Sequence, residues 1–267
     1  MITTQLRGGL GNHMFQIAAT YALALDNDDD CVFEHAITIG QESTRAYINN
    51  IYSRIKFVSS DEIKSKFAIP KYYEPNFYFQ QLPYKSNLQL VGYFQSEKYF
   101  NYHSKKIRAL FEPTDNIIQY IYEKYTSILN GNTVSMHIRR GDYLNSLHLV
   151  MCSEEYYQNA IKNFTKCDII VFSDDIEWCK VNFRDNNFIF IEGEEDYIDL
   201  YLMSMCKNNI ITNSSFSWWG AWLNNNKNKK VIAPKIWFNE GTKQYWCLDR
   251  NKLINTKDLY CNGWKVL

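Results

Sequence analysis

Between residues 133 and 233 the chain alternates short apolar runs with amphipathic ones, and this rhythm restricts the fold more than any other feature. Strands are expected at 133–138, 168–172, 187–191, 209–212 and 229–233. Helices fit between them. One starts at Ser153 with Glu154 and Glu155 and runs to about Phe164; a second follows Asp175 to about Asn182; a third spans Glu194 to Cys206. The last runs through Trp218, Trp219, Ala221, Trp222 and Leu223, with Ser214 or Ser215 as its cap. Such alternation implies parallel strands joined by helical crossovers, hence an α/β, doubly wound parallel sheet.

Parallel strands bring their carboxyl ends to one sheet edge, where open α/β sheets bind ligands. Three loops share that edge. The first is His137-Ile138-Arg139-Arg140-Gly141-Asp142-Tyr143. An arginine presents a rigid fork of donors that matches phosphate oxygens, and two adjacent forks suggest a diphosphate more than a lone carboxylate. The second, Ser173-Asp174-Asp175, offers carboxylates that accept from a base or from ribose hydroxyls, or that simply cap the next helix. The third, Thr212-Asn213-Ser214-Ser215-Phe216, leads into a helix whose first N–H groups form either an anion site or an ordinary serine-capped start.

The first half opens with a strand, Ile2 to Leu6, a glycine loop, Arg7 to Asn12, and an apolar helix at 13–25. The loop lacks both the dinucleotide and the Walker patterns, so its glycines point only to a tight turn or a close backbone approach. Asp26 to Asp30 reads as a solvated turn, and Cys31 to Glu34 as a strand. Residues 40–87 hold three of the five prolines and many tyrosines, and read as short helices and loops. A buried strand is expected at Leu88–Phe94, a cap at Ser96, and helices at 104–111 and 115–129. The polar turn Asn130-Gly131-Asn132 suggests domains of 1–131 and 132–267, with an irregular aromatic tail from 235 that folds back over either half.

Lys+Arg and Asp+Glu balance at 29 each, so nothing global favours nucleic acid and the useful positive charge is local. The 7 cysteines are scattered singly with no C-x-x-C pair, which fits a reducing compartment and argues against a disulfide framework or structural zinc. No run of about 18 apolar residues exists to span a membrane, and Met1–Leu6 is too short and polar for a signal peptide. A cytoplasmic, bacterial protein is the simplest inference.

Taken in order, five pieces resemble glycosyltransferase family 11, the α1,2-fucosyltransferases. They are Gln5 to Gln16, Gly92-Tyr93-Phe94-Gln95-Ser96, His137 to Tyr143, Phe172-Ser173-Asp174-Asp175, and Thr212 to Leu223 with its S-S-F-S-W-W-G-A-W-L core. His13 stands where many members carry Gln, and the stretch from Tyr143 to Tyr156 is shorter than usual. The resemblance implies a GT-B-type fold of two Rossmann-like halves facing across a cleft, the first half on the acceptor side. It implies GDP-β-L-fucose as donor, with no metal and no further cofactor, and a galactose-terminated oligosaccharide or lipid-linked glycan as acceptor. An O-antigen or capsule repeat, met by peripheral association with the inner membrane face, is the corresponding partner.

In the related α1,6-fucosyltransferases the histidine and second arginine of the first motif, and the later aspartate, hold GDP. By that similarity His137 and Asp175 are expected at guanine, Arg139 and Arg140 at the diphosphate, and Ser214 and Ser215 at phosphate oxygens. Gly9, Gly11 and Asn12 of the glycine loop join the donor-binding set. Conversion of a β-fucosyl donor to an α-fucoside is an inversion, which one displacement achieves. Arg139 and Arg140 suit the charge that grows on the leaving diphosphate. Asp142 is a candidate base, or equally a partner that orients an arginine; His13 and His148 are weaker candidates. The alternatives are a GDP-fucose transferase of other acceptor or linkage, and a non-catalytic sugar or nucleotide binder, which would not need the arginine pair.

Overall fold

The computed structural model describes residues 1–34, 44–59, 62–63, 69–244 and 251–267. They form two units: Met1–Thr114 with Gly241–Cys261, and Asp115–Glu240 with Asn262–Leu267.

In the first unit, strand β1 (Ile2–Thr4) is buried throughout and leads through the Arg7–Gly9 turn into helix α1 (Leu10–Asp26). Short strands β2 (Phe33–Glu34), β3 (Phe57–Val58) and β4 (Lys71–Tyr73) precede β5 (Leu88–Val91), and helix α2 (Ser104–Leu110) follows. β1, β5 and β4 form a parallel sheet in the order β1-β5-β4, and β2 pairs in parallel with β3. Helix α1 buries Met14, Phe15, Ile17, Ala18 and Ala22 completely, an apolar stripe at helical spacing. It starts three residues before the expected position. Gly9 has extended backbone, and its carbonyl accepts the N–H groups of Asn12 (3.0 Å) and His13 (3.1 Å). Gly11 and Asn12 therefore sit on the first helical turn. Within 40–87, residues 40–43, 60–61 and 64–68 lie outside the described residues; the rest includes two short strands among the expected helical turns and loops.

In the second unit, helix α3 (Asp115–Asn130) precedes strand β6 (Thr133–Ile138), which is buried at all six positions. Helix α4 (Glu154–Ile161), β7 (Asp168–Ser173), α5 (Ile176–Asn182), β8 (Phe188–Phe190), α6 (Asp196–Met205), β9 (Asn208–Ile210), α7 (Ser215–Leu223), β10 (Val231–Ala233) and edge strand β11 (Lys265–Val266) follow. All six strands are parallel, in the order β11-β10-β9-β6-β7-β8. The chain winds outward from β6 through β7 to β8, then crosses back to β9 and continues to β10. The strand order thus reverses between β6 and β9, the kind of crevice where doubly wound sheets take ligands. One face of the sheet packs Val134, Met136, Ile138, Ile169, Val171 and Ile210 with Tyr157, Cys179 and Phe183. Near the other face Asn209, 1% exposed, donates to Ser135 Oγ and to the Met203 carbonyl, both at 2.8 Å, and accepts from Asn224 Nδ2 at 2.8 Å.

The division falls at Thr114 and not at the expected residue 131. Helix α3 presents Ile117, Ile121, Tyr125 and Ile128 as one buried face and packs against α6, so it belongs to the second unit. Glu194, beside that contact, accepts from the Tyr120 and Tyr125 hydroxyls and pairs with Lys124. The tail is divided between the units. Gly241–Cys261 joins the first, where the Asp258 carbonyl accepts from Ser96 Oγ (2.6 Å), and Lys265–Val266 extends the six-stranded sheet. Cys31, Cys152, Cys167, Cys179 and Cys206 are free thiols. No helix of those residues is long and apolar enough to cross a membrane.

Candidate active site

Strands β6 and β7 pair in register from Thr133 opposite Asp168 to Ile138 opposite Ser173, so their loops leave the sheet side by side. That register puts Arg139 and Arg140 against Asp174 and Asp175. The Asp174 carboxylate accepts the Arg140 backbone N–H at 2.8 Å and pairs with Arg139 Nη1 at 3.1 Å. Gly141 is required by this approach: a Cβ there would lie 2.5 Å from Asp174 Oδ2.

The two arginines, alike in sequence, are held differently. Arg139 donates through Nε (3.0 Å) and Nη2 (2.7 Å) to Asp142 Oδ1, so three of its nitrogens face carboxylates. Arg140 donates only through Nε, to Asp175 Oδ2 at 2.9 Å, and its guanidinium carbon lies 3.9 Å from the ring centroid of Trp178. Its two terminal amino groups make no hydrogen bond among the described residues. Stacking and the Nε bond fix the plane of the fork while leaving the four N–H donors of its terminal amino groups for a ligand. Asp175 also accepts the Trp178 N–H through Oδ1 (3.3 Å) as the cap of α5. It therefore fills the capping role and orients Arg140.

His137, 5% exposed, points its ring toward Phe216, with centroids 5.4 Å apart. Burial, with a smaller push from the Arg139 charge, lowers its pKa to about 3, so the imidazole is neutral at physiological pH. Its buried Nδ1 has no hydrogen-bond partner among the described residues. The third loop is drawn onto the first by the Tyr143 hydroxyl, which donates to the Asn213 carbonyl at 2.9 Å. Asn213 Nδ2 in turn donates to the carbonyls of Val150 (2.6 Å) and Trp237 (2.8 Å). Ser214 Oγ accepts the Phe216 N–H at 3.3 Å as the cap, and Ser215 is the first residue of α7. His137, Arg139, Arg140, Asp142, Asp175, Ser214 and Ser215 are thus all carried by three loops at one sheet edge, the second and third each bonded to the first. His148 lies in the strap after this motif, where its carbonyl accepts the Asn239 N–H at 2.8 Å.

Gly9, Gly11 and Asn12 belong to the first unit and form a second cluster. Gly8, with φ +84°, lets the turn close on Asn12, whose Nδ2 would be 2.3 Å from a Cβ at that position. Asn12 Oδ1 accepts from Gln95 Nε2 at 2.7 Å. Gln16 accepts the Arg7 N–H (2.9 Å) and donates to the Gly92 carbonyl (3.0 Å). The Gly92–Gln95 turn rests on Glu74, fully buried, whose two oxygens accept the N–H groups of Tyr93 (2.8 Å) and Phe94 (3.1 Å). Burial raises the Glu74 pKa to about 7, against the pull of those two bonds. Phe94 takes φ +52°, which ends the expected strand three residues early, at Val91. His13 is wholly buried, and burial lowers its pKa to about 4, opposed by the Gly8 backbone, a setting that suits packing and not proton transfer. Sequence reasoning missed Glu74 and Trp178; neither belongs to a patterned spacing, and only the fold brings them to these loops.

The sequence profile of glycosyl transferase family 11 matches residues 1–254. The chain belongs to glycosyltransferase family 11. An Escherichia coli α-1,2-colitosyltransferase is 34% identical to this family 11 member, over 89% of this chain and 92% of its own. The O-antigen biosynthesis glycosyltransferase WbnK, also from Escherichia coli, is 32% identical over 91% of this chain and 97% of its own. Among solved structures, the fucosyltransferase NodZ from Bradyrhizobium, an α-1,6-fucosyltransferase also crystallised with GDP, superposes with a TM-score of 0.56 over 82% of this chain and 91% of NodZ, at 13% identity for the GDP form. At that identity the likeness is one of fold. This glycosyltransferase has the α/β, GT-B-type architecture that the resemblance implied.

Proposed function

We propose that this family 11 enzyme is an inverting transferase that moves L-fucose from GDP-β-L-fucose to the 2-hydroxyl of a terminal galactose in a glycan. The observation that carries the reading is Arg140: a guanidinium fixed by Asp175 and Trp178, with both terminal amino groups available, beside the crevice where strand order reverses. A hydrogen bond to a charged group is worth roughly 1.5–3 kcal/mol net. Contacts that tighten as the C1–O bond loosens and charge moves onto the departing diphosphate lower the barrier directly. Arg139, held by Asp142 and Asp174, adds positive charge from a fixed position. Asp142 is then an orienting partner of Arg139 more than a base; an inverting displacement with a loose transition state needs a proton acceptor only late. The Nδ1 of the neutral His137 suits a hydrogen bond to guanine, and the α7 start with Ser214 and Ser215 suits phosphate oxygens. The guanidinium charge makes a divalent ion unnecessary in this scheme.

A second reading has a specific support: the colitosyltransferase relative makes colitose an alternative to fucose on the same scaffold. The WbnK relative supports an O-antigen repeat, met in the cytoplasm at the inner membrane face, as the acceptor. The test is to incubate the purified protein with GDP-fucose or GDP-colitose and a galactose-terminated oligosaccharide, with and without EDTA, and to determine the product linkage. An α1,2-fucoside formed equally in EDTA is the expected product. Preference for GDP-colitose would assign the second donor, and transfer from neither sugar would end both readings.

A further inference from the structure

We propose that the first unit carries a second sugar-binding site, at the opposite end of helix α1 from the glycine turn. A cavity of about 360 Å³ opens there, in the size range of small-ligand sites. It borders Asp26, the last residue of α1, about 22 Å along the helix axis from Gly11. It is therefore separate from Gly9, Gly11 and Asn12, the residues of this unit assigned above to the donor.

The lining selects the ligand. Phe79 and Tyr99, packed edge to face at 5.0 Å, form an apolar wall. Tyr102 stands at the rim with its side chain entirely exposed and without a hydrogen bond. A free-standing ring beside a concave apolar wall matches the C–H face of a pyranose, which has an apolar face and a polar edge. The ionisable groups are already paired. His103 Nε2 lies 2.6 Å from Asp26 Oδ1, and Lys98 Nζ lies 2.6 Å from Asp258 Oδ1. An ionic ligand would have to break one of these pairs, whereas a neutral one leaves them intact. The second oxygen of Asp26 and the exposed amide of Gln81 remain to bind hydroxyls. A neutral sugar ring of a glycan fits this combination; a nucleotide or phosphate does not. Under the proposed function, on which this identification of the glycan rests, the occupant is a neutral sugar of the acceptor glycan.

The experiment uses the full chain and a pair of galactose-terminated oligosaccharides, a disaccharide and a hexasaccharide, in ligand-observed NMR titrations with and without saturating GDP. Tyr102→Ala removes the platform without touching the core, and Gln81→Ala removes one exposed amide. Loss of one aromatic contact is expected to weaken hexasaccharide binding about three- to tenfold, with GDP leaving the change intact. The same factor should appear in KM for the long acceptor, with kcat and the disaccharide KM unchanged. Hexasaccharide affinity and KM that are equal in wild type and both variants would overturn the site. If no sugar nucleotide supports transfer but the hexasaccharide binds and Tyr102→Ala weakens it, the cavity stands and the transferase reading falls.

Discussion

Arg140 and Asp175 are joined by a single hydrogen bond, Nε to Oδ2 at 2.9 Å, which leaves both terminal amino groups of the guanidinium unengaged among the described residues. Asp175 is thereby a strut: it caps α5 with one oxygen and aims Arg140 with the other. Arg140→Ala should lower kcat on the order of a hundredfold or more while leaving the melting temperature near wild type. Arg140→Lys keeps the charge but loses the fork and the stack on Trp178, and should recover only part of the rate. Steady-state kinetics beside thermal melts check both. Near-wild-type transfer by the alanine variant would remove the role assigned to Arg140.

Gly141 separates the two loops by the width of a missing methyl. In Gly141→Ala the new Cβ would meet Asp174 Oδ2 at 2.5 Å, and Asp174 holds both the Arg140 N–H and Arg139 Nη1. The carboxylate must shift, and displacement of catalytic groups by about 1 Å costs on the order of a hundredfold in rate. The loop is at the surface, so urea midpoints should change little. A variant with wild-type kcat would show that Asp174 yields without moving the arginines.

Asn209 is a structural polar group, not a catalytic one. Its amide ties β9 to β6 through Ser135, to the end of α6 through the Met203 carbonyl, and to the end of α7 through Asn224. Asn209→Ala leaves those buried partners unsatisfied and should cost on the order of 3 kcal/mol by urea denaturation. A loss below a few tenths would mean that water or repacking replaces the amide.

Glu74 gives stability a pH signature. Its folded pKa is about 7 against an ordinary 4.5, so between those values the native state keeps a proton that the unfolded chain releases. Its contribution is full below pH 4.5 and lost as pH rises through about 7. His13 and His137 act in the opposite sense: with folded values of about 4 and 3 against 6.5, their contribution is full above 6.5 and lost as pH falls toward those values. Subtracting the Glu74→Gln variant from wild type isolates the carboxyl. The difference should favour wild type most below pH 4.5 and shrink by on the order of 3 kcal/mol by pH 8. A difference that is flat with pH would sink the assignment.

Legibility followed burial. Strand β6 falls on the residues expected, 133–138, because Val134, Met136 and Ile138 alternate along it and share one buried face. Ser96 and Ser153 cap as expected, each accepting a backbone N–H two or three residues on, because capping is local chemistry. Strands β3, β4 and β11 left no such trace. They are two or three residues long and largely unburied, and only pairing with a neighbour makes them strands. The unit boundary follows a related rule: a turn at Gly131 is readable, but which sheet α3 packs beside depends on contacts with α6.

The sequence by itself determined the parallel order of the second unit and, through it, the meeting of three loops at one edge, since strand direction follows from alternation and crossover handedness. It also carried the family. Tertiary structure alone decided how the two neighbouring arginines divide their work. Arg139 is spent on Asp142 and Asp174, while Arg140 is stacked on Trp178 and left open. Residues 35 positions apart come within hydrogen-bond reach through strand register, and register is set by the packing of the whole sheet rather than by local pattern.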